Sequence, residues 1–293
     1  YSFFYTLYLL ITLNPKLIVV HWASRLYQNI LLALWGRRVI VHTMGGDIDS
    51  AQDCCGKKRF FVMLLLKACK VVSIKTPYMQ EMLEKSSILI SQKIVQISFG
   101  VEERFFKQIF KVEKRVLQKE LFGAEFEYLF FSVRALNAFY HSKEIIEAFL
   151  SLFENFHKVG LIVSTMRKDK ALWDCLPKGF GNVIFTEIPH KQMDKYLLAS
   201  DCVISYSKSD GFSQSIMESM ANGKMIIINN LPNYKGILNA NNALMFENTE
   251  GLKGSMDKAF QDKMQGVCVN ASWLHQGTQR EYYLQVLREN FNV

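Results

Sequence analysis

The sequence lacks the short motifs that mark several common protein classes. It has no Cys-x-x-Cys pair and no histidine at zinc-ligand spacing, so its six cysteines predict reduced thiols, as in a cytosolic protein. No G-x-G-x-x-G follows a predicted strand and no phosphate loop ending in G-K-[S/T] occurs, which removes the signatures of nicotinamide-dependent oxidoreductases and of P-loop proteins. Low-complexity tracts and solenoid-length repeats are also missing, which excludes linkers and repeat arrays.

Long hydrophobic runs are scarce too. The chain opens with YSFFYTLYLLITL, residues 1–13, but Asn14-Pro15 interrupts this stretch and no small-residue cleavage site follows. A membrane-spanning helix needs about 20 apolar residues. The stretch therefore predicts a buried helix that leads into a strand.

Charge is biased toward one sign. A net charge of +8 and a pI near 9.1 favour anionic partners, which could be nucleic acid, a membrane surface or phosphorylated small molecules. No nucleic-acid-binding motif accompanies the charge, so we expect no nucleic-acid partner.

Apolar, β-branched runs alternate with helical stretches along the whole chain, which predicts an α/β protein with parallel sheets covered on both faces. The predicted strands of a first series lie at 17–22, 38–43, 70–74 and 94–98, and those of a second at 128–133, 160–164, 182–186, 202–206, 224–229 and 243–246. Thr76-Pro77 has the pattern of an N-cap followed by proline at the first helical position, which predicts a helix over 77–85.

A charge-rich stretch without a strand signal separates the two series. We therefore predict an N-terminal Rossmann-like domain at 1–110, a linker at 111–127, a C-terminal Rossmann-like domain at 128–270, and terminal helices at 271–293. Ligands of doubly wound sheets bind beyond the carboxyl ends of the strands, so two such sheets facing each other would form a cleft.

The most informative segment is SYSKSDGFSQSIMESMANGKMIIINN, residues 205–230. A predicted strand is followed by a polar loop and by a helix that Gly223 would terminate. Because a helix start presents backbone N–H groups, Ser213, Gln214 and Ser215 predict a site for a diphosphate.

Two carboxylates flank this helix start. Asp210 precedes it and Glu218 lies within it, and both could accept hydrogen bonds from sugar hydroxyls. The spacing alone also permits a simple helix cap at Asp210 and a solvated glutamate at 218.

The same segment resembles the signature of glycosyltransferase family 4 and its GT-B relatives, the glycosyl transferases group 1. The matching residues are Ser207, Asp210-Gly211-Phe212-Ser213 and Glu218-Ser219-Met220-Ala221-Asn222-Gly223, followed by a hydrophobic strand. HKQMDKYLLASDCVIS and SVRALNAFYHSKEIIEAF look like the elements before it, FGVEERFF looks like the family's domain junction, and VIVHTMGGDI looks like its N-domain glycine loop, which contains Gly45.

The resemblance implies two Rossmann-like domains that face each other across a cleft and transfer a sugar from a UDP- or GDP-sugar, with retention at the anomeric carbon and without a metal ion or other cofactor. Carried over residue by residue, Glu218 would bind the ribose, Asp210 would contact the donor sugar and Arg134 would neutralise the diphosphate. It also implies that the first part of the N-domain precedes Tyr1.

Several positions depart from the family pattern. Asp210 replaces the more usual glutamate, and Ser213 replaces a glycine. Tyr140 stands where a phosphate-binding lysine is expected, with Lys143 one helical turn away. Met44 stands where many relatives place a histidine. His42, two residues earlier, could act in catalysis or donor positioning, or be structural, and His21 and His190 rank lower.

The acceptor is expected to be a cell-surface glycan or a lipid-linked molecule in a bacterial cytoplasm. The stretch GKKRFFVMLLLKACK, residues 56–70, would then meet an anionic membrane from its inner face, although the favoured interpretation of this stretch is a core helix with a solvated basic start. A different functional class is a degenerate sugar-nucleotide-binding module that has lost turnover through its changes at Asp210, Ser213 and Tyr140.

Overall fold

The computed structural model of the protein describes residues 3–23, 26–47, 57–85, 94–264, 266 and 272–291. The chain separates into two compact units. The first unit comprises Tyr1–Gly100, Ser209–Phe212 and Gly277–Val293, and the second comprises Val101–Lys208 and Ser213–Gln276. Each predicted strand series therefore lies in its own unit.

The first unit is built on a parallel sheet of four strands that are neighbours in chain order. Its elements are α1 (Phe3–Leu13), β1 (Ile18–His21), α2 (Leu26–Leu34), β2 (Val39–His42), α3 (Lys57–Ala68), β3 (Val71–Ile74), α4 (Pro77–Lys85) and β4 (Ile94–Gln96). The apolar start of the chain thus forms a helix before a strand, as predicted, but the prediction that this helix is buried is wrong. Leu10 is the one buried residue of α1, and Phe4, Tyr8, Ile11 and Leu13 are exposed.

The core of the first unit lies between the sheet and its helices. It contains Val39, Val41, Val62, Leu65, Leu66, Val72, Ile74, Met79 and Leu83. The basic stretch at 56–70 contributes α3, whose apolar side chains enter this core while Lys57 and Arg59 are exposed. Thr76 Oγ1 accepts a hydrogen bond from the Met79 amide at 3.3 Å, which confirms the predicted N-cap of α4.

The second unit has a parallel sheet of six strands. Its elements are α5 (Lys111–Phe122), β5 (Tyr128–Ser132), α6 (Ser142–Phe153), β6 (Val159–Ser164), α7 (Lys170–Cys175), β7 (Val183–Thr186), α8 (Met193–Ala199), β8 (Cys202–Ser205), α9 (Gln214–Ala221), β9 (Met225–Asn229), β10 (Ala243–Phe246) and α10 (Thr249–Gln261). All ten predicted strands are confirmed within one or two residues at each end.

Strand order makes the second unit a Rossmann-like fold. The strands lie in the order β10-β9-β8-β5-β6-β7. The first strand of the unit therefore lies in the middle, and the order reverses between β5 and β8. Doubly wound sheets bind ligands at such a switch point.

Residues 111–127, expected to form a linker, contribute helix α5 to the second unit. The helix is held by polar contacts to the residues just before β8. Lys114 pairs with the Asp201 carboxylate, Gln118 Nε2 donates to the Ala199 carbonyl at 2.8 Å, and Asp201 also accepts from the Leu129 amide at 2.9 Å. The Ala-Asp pair that precedes β8 thus ties α5, β5 and β8 together.

The last described element is helix α11 (Gln276–Phe291), which follows a short 3-10 helix at Ser272–Leu274. In the first unit, Val286 of α11 packs with Ile40, Val71 and Ile97 of the sheet region. The predicted terminal helices are therefore present, and α11 closes a second face of the first sheet. No helix in the described ranges combines the length and apolarity needed to cross a membrane.

Among the described cysteines, Cys69 and Cys202 are buried and Cys175 is exposed. Cys54, Cys55 and Cys268 lie outside the described residues.

Candidate functional site

The switch point of the second unit lies between β5 and β8, whose registers pair Phe130 with Cys202 and Ser132 with Ile204. Arg134 comes just after β5, and the connection from β8 leads to helix α9. Because the carboxyl ends of parallel strands share one edge of the sheet, Arg134 and the start of α9 come together there.

The start of α9 is a polar helix terminus. Ser213 occupies the N-cap with an extended backbone (φ −74°, ψ 150°), and its hydroxyl lies 3.3 Å from the Ser215 hydroxyl instead of capping the helix. The first N–H groups of a helix have no intrahelical partner, and they carry the positive end of its dipole. Gly223, with φ 69°, ends the helix as predicted.

Arg134 stands beside this helix start. Its Nη1 donates to Ser215 Oγ at 3.4 Å, and its guanidinium carbon lies 4.4 Å from the centre of the Tyr140 ring. Tyr140 therefore supports the guanidinium at the position where a lysine was expected. A guanidinium, two hydroxyls and a helix start together form a site suited to a phosphate-bearing anion.

Lys143 has a different environment. It lies on α6, and its ammonium is 3.6 Å from the Glu147 carboxylate one turn further on, with about half of each side chain exposed. The structure thus joins Ser213, Ser215 and Arg134 in one cluster and gives Lys143 an ion pair along its own helix.

Glu218 is almost completely buried, with 2 % of its surface exposed. It is therefore not the solvated helix glutamate that its spacing allowed. Burial raises the pKa of its carboxyl, while hydrogen bonds from the His190 and Gln214 side chains lower it. His190 Nε2 lies 3.0 Å from Glu218 Oε1.

His190, which was ranked below His42 from the sequence, is the histidine that contacts Glu218. It begins a short 3-10 helix after Pro189, just beyond the end of β7. A histidine in the loop that follows a strand, on the edge of the sheet where ligands bind, was the signal that could have raised its rank.

His42 lies in the first unit, at the end of β2, and is 5 % exposed. Its Nε2 is 3.3 Å from the Tyr283 hydroxyl, and its ring stacks on His21 at a centroid distance of 5.0 Å. Burial, followed by the nearby His21 and Lys75 charges, lowers the pKa of His42 to about 4. His42 is therefore neutral at physiological pH.

Gly45 and the loop residues Asp210, Gly211 and Phe212 also belong to the first unit. Gly45 has φ 96°, and a Cβ placed on it would lie 2.6 Å from the Gly211 Cα. Only glycine fits such a left-handed, close approach. Phe212 is fully buried with φ 70°, and Asp210 is half-buried.

Three solved structures show the same fold at low sequence identity. HepE (Alr3699) from Anabaena, in complex with UDP and glucose, is 14 % identical with a TM-score of 0.71, and the match covers 92 % of this chain and 78 % of that one. WaaG, a glycosyltransferase involved in lipopolysaccharide biosynthesis, is 14 % identical with a TM-score of 0.69, over 97 % and 77 % of the two chains. Sucrose-phosphate synthase (tll1590) from Thermosynechococcus elongatus is 14 % identical with a TM-score of 0.63, over 98 % and 72 %.

No curated protein matches the sequence significantly. The family described as glycosyl transferases group 1 matches residues 114–271, which is more than half of the 293 residues and includes Arg134, Ser215 and Glu218. The solved structures with this fold are GT-B glycosyltransferases. The chain belongs to the glycosyl transferases group 1 family and has the GT-B fold.

Proposed function

We propose that this glycosyltransferase moves a sugar from a nucleoside-diphosphate donor to a hydroxyl of a cell-surface glycan or a lipid-linked acceptor, with retention at the anomeric carbon. The observation that carries the proposal is the arrangement around α9. A buried carboxylate, Glu218, lies on this helix at the switch point of a Rossmann-like sheet, and Arg134, which follows β5, contacts Ser215 at the start of the same helix.

Each part of this arrangement has a role in the proposal. The carboxylate of Glu218 accepts hydrogen bonds from the ribose, which places the diphosphate toward the start of α9. There Arg134, Ser213 and Ser215 meet its oxygens. Asp210 contacts the donor sugar, and Lys143 stays a candidate for a second phosphate contact.

Chemically, the bond between the anomeric carbon and the diphosphate oxygen breaks and a bond to the acceptor oxygen forms on the same face. Negative charge grows on the departing nucleoside diphosphate, whose phosphate oxygen takes up the proton that the acceptor hydroxyl loses. Arg134 stabilises this developing charge because it is fixed before the reaction starts. The proposal includes no metal ion and no cofactor besides the donor.

UDP-sugars are the first donors to test. HepE is described in complexes with UDP, with UDP and glucose, and with UDP-glucose. GDP-sugars come second, because Glu218 and Arg134 would contact ribose and diphosphate and would not select the base.

For a lipid-linked acceptor, we propose that the enzyme works in the cytoplasm at the inner face of the membrane. The exposed cations Lys57 and Arg59 at the start of α3 support this location, because such charges attract anionic headgroups.

A second candidate is a nucleotide-sugar-binding module without turnover. It is favoured by Tyr140, which leaves Arg134 without the neighbouring lysine that the resemblance predicts. Both candidates bind the nucleotide, and only the enzyme releases the sugar.

A thermal-shift screen with UDP, GDP, ADP and CMP and their sugars tests the proposal. A ligand at about 100 times its Kd stabilises a protein by about 2.7 kcal/mol, which is a measurable rise in Tm. We expect a selective shift with one nucleotide and release of that nucleotide when acceptor is added. A shift without release would favour the binding module, and no shift with any nucleotide would contradict both candidates.

A further inference from the structure

Glu218 is the inner end of a chain of contacts that runs outward through His190 to Arg104, all within the second unit. His190 Nε2 lies 3.0 Å from Glu218 Oε1, and Arg104 Nη2 lies 3.3 Å from His190 Nδ1. We call this the Arg104-His190-Glu218 chain.

The hydrogen bonds of the Arg104-His190-Glu218 chain have a defined direction. An arginine guanidinium can only donate hydrogen bonds, so His190 Nδ1 must accept. A neutral imidazole carries one proton, which therefore lies on Nε2 and points at Glu218. Arg104 thus selects the tautomer in which His190 donates to the carboxylate.

Arg104 is itself held firmly. Its Nη1 donates to the Lys191 carbonyl at 2.7 Å and to Asp194 at 3.4 Å, and its Nη2 donates to the His190 carbonyl at 3.1 Å. The Glu102 carboxylate accepts from its Nε and Nη2 at 3.1 Å and 3.2 Å. The two N–H groups of Nη2 are shared among the Glu102 carboxylate, the His190 carbonyl and His190 Nδ1, and these contacts together fix the guanidinium that orients His190.

The different exposure of the Glu218 and His190 side chains shows that His190 orients Glu218 from outside the core and is not a core packing residue. The Glu218 side chain is 3 % exposed, whereas 58 % of the His190 side chain is open to solvent. An imidazole that is this exposed contributes little to the core, so its replacement need not unfold the unit.

We propose that His190 is a positioning residue that holds one oxygen of Glu218 and turns the rest of the carboxylate toward the ribose hydroxyls, and that it thereby sets the preference for a ribonucleotide. A carboxylate has about four acceptor sites, so the hydrogen bond from His190 leaves others for the ligand. This inference rests on the proposed function, because it requires that a nucleotide binds at Glu218.

The charge state of Glu218 gives a second consequence. Burial raises the pKa of its carboxyl, and the His190 hydrogen bond is the first of the influences that lower it, ahead of Gln214 and the charge of Arg104. Loss of His190 therefore moves protonation of Glu218 to higher pH, where a protonated carboxyl accepts ribose hydrogen bonds poorly.

Calorimetric titration with UDP, GDP and ADP, followed by the 2′-deoxy form of whichever nucleotide binds, tests the inference. For His190→Ala we expect about tenfold weaker binding of the ribonucleotide and a change of about twofold or less for the deoxy form, because hydrogen bonds to charged groups carry such energies. The acid-side loss of binding should also shift to higher pH. Equal weakening of both nucleotides, or an unshifted pH profile, would overturn the positioning role.

Two conservative variants sharpen the test. The amide nitrogen of glutamine occupies the place of His190 Nε2, so His190→Gln should restore binding to within about threefold, whereas the shorter His190→Asn should not. Arg104→Ala should fall between the wild type and His190→Ala. His157→Ala, at an exposed histidine, is the matched control and should leave affinity unchanged.

The outcomes separate the inference from the proposed function. A wild-type protein that binds none of the three nucleotides contradicts both. If the wild type binds and His190→Ala keeps its Tm and full affinity, only the inference fails.

Discussion

The two units each bury a titratable side chain near the carboxyl end of parallel strands, but in opposite electrostatic settings. In the second unit, Arg134, Ser213, Ser215 and Glu218 form the region that we propose binds the sugar donor, called the donor region below, and His190 Nε2 lies 3.0 Å from the carboxylate of the buried Glu218. In the first unit His42 is 5 % exposed, and its polar partner is the neutral Tyr283 hydroxyl.

This difference decides which buried group can carry charge. Burial disfavours the charged form of both groups. At Glu218, hydrogen bonds from His190 and Gln214 offset part of this effect of burial. At His42, the His21 and Lys75 charges disfavour the charged form further. We infer that the donor region suits an ionic ligand and that the surroundings of His42 keep its side chain uncharged.

The largest effect is expected when the cation of the donor region, Arg134, is removed. Arg134→Ala should lower kcat/KM by about 10² to 10³, the usual loss when a preorganised group that stabilises transition-state charge is deleted. Arg134→Lys should recover only part of the rate, since an ammonium lacks the planar fork. Steady-state kinetics measure both.

Arg115→Ala is the control for Arg134, because Arg115 is an exposed arginine of the same unit that pairs with Glu125. Its kinetics should match those of the wild type. Turnover unchanged in Arg134→Ala would exclude the guanidinium from the donor site.

The next largest effect is expected at Glu218. Glu218→Gln keeps the shape of the side chain but removes the negative acceptor, so nucleotide affinity should fall about 30-fold, in line with the loss of charge-assisted hydrogen bonds. In the wild type, affinity should decline as the pH falls through the raised pKa of Glu218, and the glutamine variant should lack this decline.

Calorimetry across pH measures both effects at Glu218. Glu250→Gln, at an exposed glutamate paired with Lys253, should retain wild-type affinity and pH dependence. A Glu218→Gln protein that binds as tightly as the wild type would remove the carboxylate from the site.

The sequence predicted the strands and the grouping of residues at α9 better than it predicted the surroundings of His42. All ten strands are apolar runs bounded by turn residues, a local pattern that does not depend on partners far along the chain. Ser213, Ser215 and Glu218 lie on one helix, so their spacing alone brought them together.

Contacts between distant segments could not be predicted in this way. His190 meets Glu218 across 28 residues, and His42 meets Tyr283 across 241. Neither pair follows from a periodicity, because tertiary packing sets the distance. The predicted linker at 111–127 was misjudged for the same reason, since α5 looks solvated in sequence while Lys114 and Gln118 bind residues next to β8.

A smaller effect is expected at the glycine loop that follows His42. Gly45→Ala should lower the free energy of unfolding by about 2 kcal/mol, because alanine is strained at φ 96° and its Cβ would collide with Gly211. Gly46→Ala, where a Cβ would meet nothing within 4 Å, is the matched control and should cost less than about 1 kcal/mol. Chemical denaturation would compare the two, and equal losses would show that the close approach to Gly211 is not what requires glycine at 45.

The smallest effect should come from His42 itself, and it concerns acid stability. The pKa of His42 is about 4 in the folded protein against 6.5 for a free histidine. Between these values the unfolded chain binds a proton that the folded protein does not bind. The free energy of unfolding therefore falls as the pH drops from 7 to 5, by about 1 to 2 kcal/mol for this residue.

His42→Gln should lose less stability over that range, as measured by denaturation at both pH values, with turnover at pH 7.5 within about threefold of the wild type. A fall in turnover as large as that of Arg134→Ala, without a change in acid stability, would instead place His42 among the catalytic residues and remove the contrast between the two regions.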